Sequence, residues 1–222
     1  NFIKAYFLEK SGDTISFDKK KLAKEILNGN YILHFRHAER EKWIDLHMYD
    51  VLESDYHNNG IDESSFAENK YYANAVCLNE RGKIQSKAMR EVLSNIKLPV
   101  SRVLSSVSCR SRQTANLAFG GYDSLHRILV HPGPYLEKVE DRMKNVELFY
   151  SSLTPEANTN IIVSSHNGII RKAIFKNKKE IENKLVLEEG GFYIISNKPK
   201  GNLILEHEFH SFSYFVRTIN KR

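Results

Sequence analysis

The apolar run Tyr31-Ile32-Leu33 leads into Phe35-Arg36-His37-Ala38-Glu39-Arg40, which reads as a buried strand that stops at a histidine. The layout recurs at Ile161-Ile162-Val163, which leads into Ser164-Ser165-His166-Asn167-Gly168. A third stretch, Leu104-Ser105-Ser106, is followed by Arg110-Ser111-Arg112-Gln113-Thr114-Ala115 and carries an arginine where the others carry a histidine. Ligands of open α/β sheets bind beyond the carboxyl ends of the strands. Three such strands would bring Arg36, His37, Arg110 and His166 to one sheet edge. Two histidines and two arginines together suit a dianionic phosphoryl group.

Outward from these stretches, helix and strand patterns alternate. Asp18 is placed to cap a helix with Leu22, Ala23, Ile26 and Leu27 on one face and Gly29 as its stop. From Asn79, Ile84, Ala88, Val92 and Ile96 recur at helical spacing, with Met89 and Leu93 beside them and Pro99 at the end. A strand over 101–105, a loop and a helix from about Arg110 follow. Residues 127–130 read as a short strand before the rigid loop His131-Pro132-Gly133-Pro134. Val139, Met143, Val146, Phe149 and Leu153 mark another helix, and a strand over 160–165 leads to a helix near 168–176. Residues 192–196 and 203–209 form an antiparallel edge pair around Asn197-Lys198-Pro199-Lys200-Gly201. Such alternation predicts a mainly parallel sheet covered on both faces.

Residues 42–79 lack sustained periodicity and carry the turn signal Asn58-Asn59-Gly60. A connection of that length within a compact domain is usually functional. The expectation is one domain over 1–222, with 42–79 as an insertion over the strand ends.

With 222 residues, 41% of them hydrophobic, the chain can bury a sizeable core. No run approaches the roughly 18 apolar residues that cross a membrane. The first residue is Asn1 rather than Met, which leaves location open between the cytoplasm and export after removal of a signal peptide. Cys77 and Cys109 do not make a disulfide framework and form no CxxC pair. Neither opens a C-x5-R loop, so cysteine-phosphatase chemistry is not supported.

The net charge is +6, unevenly spread. Residues 42–79 hold Asp45, Asp50, Glu53, Asp55, Asp62, Glu63 and Glu68 against Lys42 and Lys70, so the remainder is strongly basic. A basic body concentrates anionic substrates. Nucleic acid is not the expected partner, because no aromatic-interleaved basic stripe or reader motif is present. The run Arg171-Lys172 through Lys178-Lys179 reads as a solvated face. His47 and His57 match no metal-ligand spacing, so neither metal nor cofactor is expected.

His37 is the candidate nucleophile, since a neutral imidazole nitrogen can attack phosphorus and form a phosphoenzyme. Arg36 would hold phosphoryl oxygens through a charged fork. Arg110 opens a helix, a place where cations are not otherwise favoured. His166 would donate to phosphoryl oxygens as charge grows in transfer. Arg112 reads as solvated.

Three ordered pieces, Arg36-His37-Ala38-Glu39, Leu104-Ser105-Ser106…Arg110…Gln113-Thr114-Ala115 and Ser165-His166-Asn167, resemble the histidine phosphatase superfamily, also called the phosphoglycerate mutase-like fold. Asn79-Glu80-Arg81-Gly82…Gln85 resembles the segment that opens the helix before the second piece. The resemblance covers about 31–196. It implies a three-layer α/β/α sandwich, a phosphohistidine on His37, phosphate binding by Arg36, Arg110 and His166, and no required metal. Ala38 stands where glycine is frequent in that family.

Departure of the leaving group needs a proton donor. Glu137, after the third strand, is the choice, with Glu140, Asp141 and Asp45 as competitors. The expected function is a phosphatase acting on a phosphorylated small molecule or phosphoprotein. The alternatives are a phosphoglycerate mutase-like phosphotransferase and an inactive phosphate-binding pseudo-enzyme. Substrate and oligomeric state are not legible.

Overall fold

The computed structural model describes residues 17–41, 76–130, 138–181 and 185–220, with the side chains of 17–20 left aside. Among the described residues, six strands form one sheet: β1 (Ile32–Arg36), β2 (Val100–Ser106), β3 (Ser124–His126), β4 (Asn160–Ser165), β5 (Phe192–Asn197) and β6 (Leu203–Phe209). Their spatial order is β3-β2-β4-β1-β5-β6. The first four run parallel, whereas β5 is antiparallel to β1 and β6 to β5. The antiparallel edge therefore agrees with the sequence reading.

Both faces of the sheet are covered, which is why the central strands are apolar without interruption. Every residue of β4 is buried. In β1, Leu33 and Phe35 enter one core with Ala88, Met89, Phe192 and Phe215. Ile32 enters the other, with Val146, Tyr150, Val163 and Ile195. The first core is closed by α1 (Phe17–Glu25), α2 (Glu80–Asn95) and α5 (Phe212–Asn220), the second by α4 (Val139–Ser152). The short α3 (Cys109–Thr114) continues as a π-helical turn over Ala115–Phe119. The result is a three-layer α/β/α sandwich.

The starts of two helices bear on the site. Asn79 caps α2 by accepting from the Gly82 N–H at 2.7 Å. Gly82 has no room for a side chain, because a Cβ there would collide with the Glu39 carbonyl. The helix thereby packs directly on the loop that follows His37. Ser108 caps α3.

Several expectations differ from the fold. The third strand is Ser124–His126, and the expected strand at 127–130 begins with a 3-10 turn over Arg127–Leu129. Its carbonyls are taken by side chains rather than a ladder: Ser165 Oγ donates to Leu129 O, and Arg142 donates to Ile128 O and Val130 O. The helix expected near 168–176 is only a 3-10 turn at Lys172–Ile174. Gly168 has φ +78°, and Asn167 bonds both the N–H and the C=O of Leu187. The chain is thus tied to a distant loop just where a helix would start. Helix α5 was not read, although Phe212, Phe215, Val216 and Ile219 carry helical spacing.

Cys77 and Cys109 form a disulfide with a Cα–Cα distance of 4.9 Å, a single cross-link rather than a framework. The expected insertion lies mostly outside the described residues, as do Asp45, His47, His57 and the 131–134 loop.

Candidate active site

The four parallel strands end along one edge. Arg36 lies at the end of β1, opposite Ser165 at the end of β4. His37 and His166 come one residue later on neighbouring strands, and their rings meet edge-to-face with centroids 5.2 Å apart. Arg110 arrives from the turn after β2, and its Nε donates to His37 Nε2 at 3.2 Å. Arg36, His37, Arg110 and His166 are thus gathered at one place. His37, Arg110 and His166 are buried.

The tautomer of His37 follows from its neighbours. Its Nδ1 donates to the Ala38 carbonyl at 2.7 Å, which leaves Nε2 with a lone pair. Burial, then the positive charges of Arg110 and Arg36, hold the imidazole well below its ordinary pKa. The ring is therefore neutral, with its unprotonated nitrogen turned toward a guanidinium.

The side chains expected to bind phosphate are held from behind. Arg36 Nη1 donates to Leu187 O at 2.7 Å, and Nη2 pairs with Glu189 at 3.3 Å. Its Nε is buried and finds no hydrogen-bond partner, an arrangement that favours an added acceptor. Arg110 Nη1 reaches Val76 O at 3.4 Å. His166 Nε2 lies 3.1 Å from Ser106 Oγ and 3.3 Å from Ser111 Oγ.

A second ring of side chains fixes the loops. Thr114 Oγ1 accepts from the Ala38 N–H at 2.9 Å and donates to Arg110 O at 2.8 Å. Gln85 accepts from the Glu39 N–H and donates to Glu189 O. Gln113 accepts from the Leu78 N–H at 2.8 Å. Gln113 and Thr114, quoted in sequence beside Arg110, thus tie three separate segments together.

Arg112, expected to be solvated, is only 1% exposed. Every residue of α3 is buried, because this short helix sits beneath its neighbours rather than on the surface. Glu137 lies outside the described residues, while Glu140 and Asp141 are exposed in the first turn of α4. Sequence reasoning also missed Glu189 and the Leu187 carbonyl. Neither has a local signal, since each reaches Arg36 only through the fold. Among the described residues no group of histidine, cysteine and carboxylate side chains is arranged to hold a metal, and no helix is long and apolar enough to cross a membrane.

No family model and no curated protein matches the chain. Solved structures do. An Escherichia coli K-12 protein assigned as an alpha-ribazole-5'-P phosphatase matches 83% of this chain and 98% of its own, with 15% identity and a TM-score of 0.52. Entamoeba histolytica phosphoserine phosphatase, in complex with 3-phosphoglyceric acid, covers the same shares with 13% identity and a TM-score of 0.50. The product of open reading frame Rv3214 from Mycobacterium tuberculosis matches 82% of this chain and 98% of its own, with 16% identity and a TM-score of 0.50. Together with the sheet order and the strand-end placement of His37 and His166, these matches show that the chain has the phosphoglycerate mutase-like fold.

Proposed function

We propose that the protein is a phosphatase that hydrolyses a phosphomonoester through a phosphohistidine on His37. The observation that carries this reading is the state of His37: neutral, locked by Ala38 O, with Nε2 facing Arg110. The names of two matched structures, phosphatases both, agree with it.

In the first step Nε2 attacks phosphorus and the bond to the ester oxygen breaks. The departing oxygen takes a proton from an acid. In the second step water attacks the phosphorus, the P–N bond breaks, and the deprotonated acid takes the water's proton. Arg36, Arg110 and His166 hold the phosphoryl oxygens, and their charges and N–H groups stabilise the transferring group. Arg36 Nε, buried without a partner, supports that role.

The acid in this scheme is Glu137. The substrate is a phosphorylated small molecule or phosphoprotein. Incubation with a labelled phosphomonoester, followed by quench in base, should trap acid-labile phosphate on wild-type protein and none on His37→Ala. A folded His37→Ala protein with near-normal turnover would overturn the phosphohistidine route.

A further inference from the structure

Behind the two reactive histidines lies a third that the proposed chemistry does not use. His34 sits in β1 and is fully buried on the face opposite Phe35. Its Nε2 lies 3.2 Å from the backbone carbonyl of His166, so Nε2 carries the hydrogen and donates. Its Nδ1 lies 2.6 Å from the hydroxyl of Tyr150 on α4, which donates to that nitrogen. The ring stacks on Tyr193 of β5, with centroids 5.7 Å apart.

The position explains the need. The β1–β4 pairing ends at Arg36 and Ser165, and the His37 N–H takes the Ser165 carbonyl. The next carbonyl, that of His166, lies beyond the ladder. A buried carbonyl favours a donor, and histidine at 34 brings one to it from within the sheet, where an apolar residue brings none.

Resting on the phosphatase reading above, we infer that His34, oriented by Tyr150, is a positioning residue that fixes the backbone of His166 and so the aim of its ring at the phosphoryl group. Ser106 and Ser111 hold the far end of the same residue. His166 is thus clamped at both backbone and ring, and the backbone half of that clamp comes from β1, the strand that delivers His37. The two histidines of the site are registered to each other through His34. Misplacing a group by about 1 Å is enough to slow catalysis by about a hundredfold.

The test compares His34→Leu, His34→Gln and Tyr150→Phe in the full chain, with p-nitrophenyl phosphate as substrate. The glutamine amide can present a donor where Nε2 stands, whereas leucine cannot. His34→Leu should lower kcat by about tenfold or more with little change in KM. His34→Gln should recover to within about threefold of wild type, and Tyr150→Phe should fall between. Equal losses in His34→Leu and His34→Gln would overturn the inference, since packing rather than the donor would then matter. Full activity in folded His34→Leu would also overturn it. If His34→Leu does not fold, His34→Gln decides: near-wild-type kcat supports the role and a large loss refutes it. A wild-type protein without turnover is a different outcome, which removes the phosphatase reading itself.

Discussion

Arg110 donates through Nε to the Nε2 of His37 at 3.2 Å. The lone pair that would attack phosphorus is therefore held by the group that would bind the phosphoryl oxygens. With burial, the larger cause, the contact keeps His37 neutral, because a proton on Nε2 would face a guanidinium at hydrogen-bond distance. It also sets an order of events: an incoming phosphoryl group must take over the arginine's N–H before the nitrogen can react. Arg110 is held by Val76 O and, through its own carbonyl, by Thr114, so exchange of that one bond need not disturb its backbone.

Arg110→Ala should weaken vanadate or phosphate binding by at least about tenfold, the loss of one charge-assisted hydrogen bond. Arg110→Lys should restore only part of it, since an ammonium lacks the planar fork. Titration calorimetry with orthovanadate measures both variants. Unchanged affinity in Arg110→Ala would remove Arg110 from the site.

The Cys77–Cys109 disulfide joins the segment at 76–79 to the residue before Arg110. The same segment receives Arg110 at Val76 O and Gln113 at the Leu78 N–H. Closing a loop of 32 residues should be worth about 3–4 kcal/mol. The double variant Cys77→Ser, Cys109→Ser should lose stability of that order in urea unfolding. Its vanadate affinity should fall as well, because Arg110 loses its covalent neighbour. Disulfides of this kind persist in oxidising surroundings, so denatured, unreduced protein should show no thiol in an Ellman assay.

Burial lowers His34 to a pKa of about 4, against an ordinary value of 6.5, although its bond to the His166 carbonyl opposes the shift. The unfolded chain therefore binds a proton at higher pH than the folded one. Stability from this group is complete above about pH 6.5 and is lost as pH falls toward 4, by on the order of 3 kcal/mol in all. His37, lowered by burial and two arginines, adds a loss of the same sign. His34→Gln should flatten the decline between pH 6.5 and 4 relative to wild type. Urea midpoints at pH 7, 6 and 5 measure it; parallel curves would contradict the assigned protonation.

Glu137→Gln should slow alkyl phosphates far more than p-nitrophenyl phosphate, because a good leaving group needs little protonation. Glu140→Gln and Asp141→Asn serve as controls, since both carboxylates are exposed on α4. Values of kcat/KM for the two substrate types decide among the three. A leaving-group dependence in a control variant, absent from Glu137→Gln, would move the acid to that residue.

The strand-then-histidine pattern was legible because strands buried on both faces must be apolar throughout. A run that turns polar at a histidine marks where the chain leaves the sheet. The helical spacing from Ile84 to Ile96 and the glycine stop at Gly29 are equally local, and they correspond to α2 and to the end of the first helical segment. Helix α5 carries the same kind of signal in Phe212, Phe215, Val216 and Ile219.

Other features belong to the tertiary structure alone. The burial of Arg112, the Cys77–Cys109 pairing, the Glu189 contact to Arg36 and the reach of His34 to the His166 carbonyl all join residues remote in sequence. The residues at 127–129 and 168–176 took up turns because Ser165, Arg142 and Asn167 supply hydrogen bonds from elsewhere in the chain. The sequence by itself determined five of the six described strands and the polar residues at the ends of three of them, since periodicity and burial are properties of neighbouring residues. Only the tertiary structure decided which of those polar groups meet, which are neutral and which are held, because those properties depend on distances across the sheet.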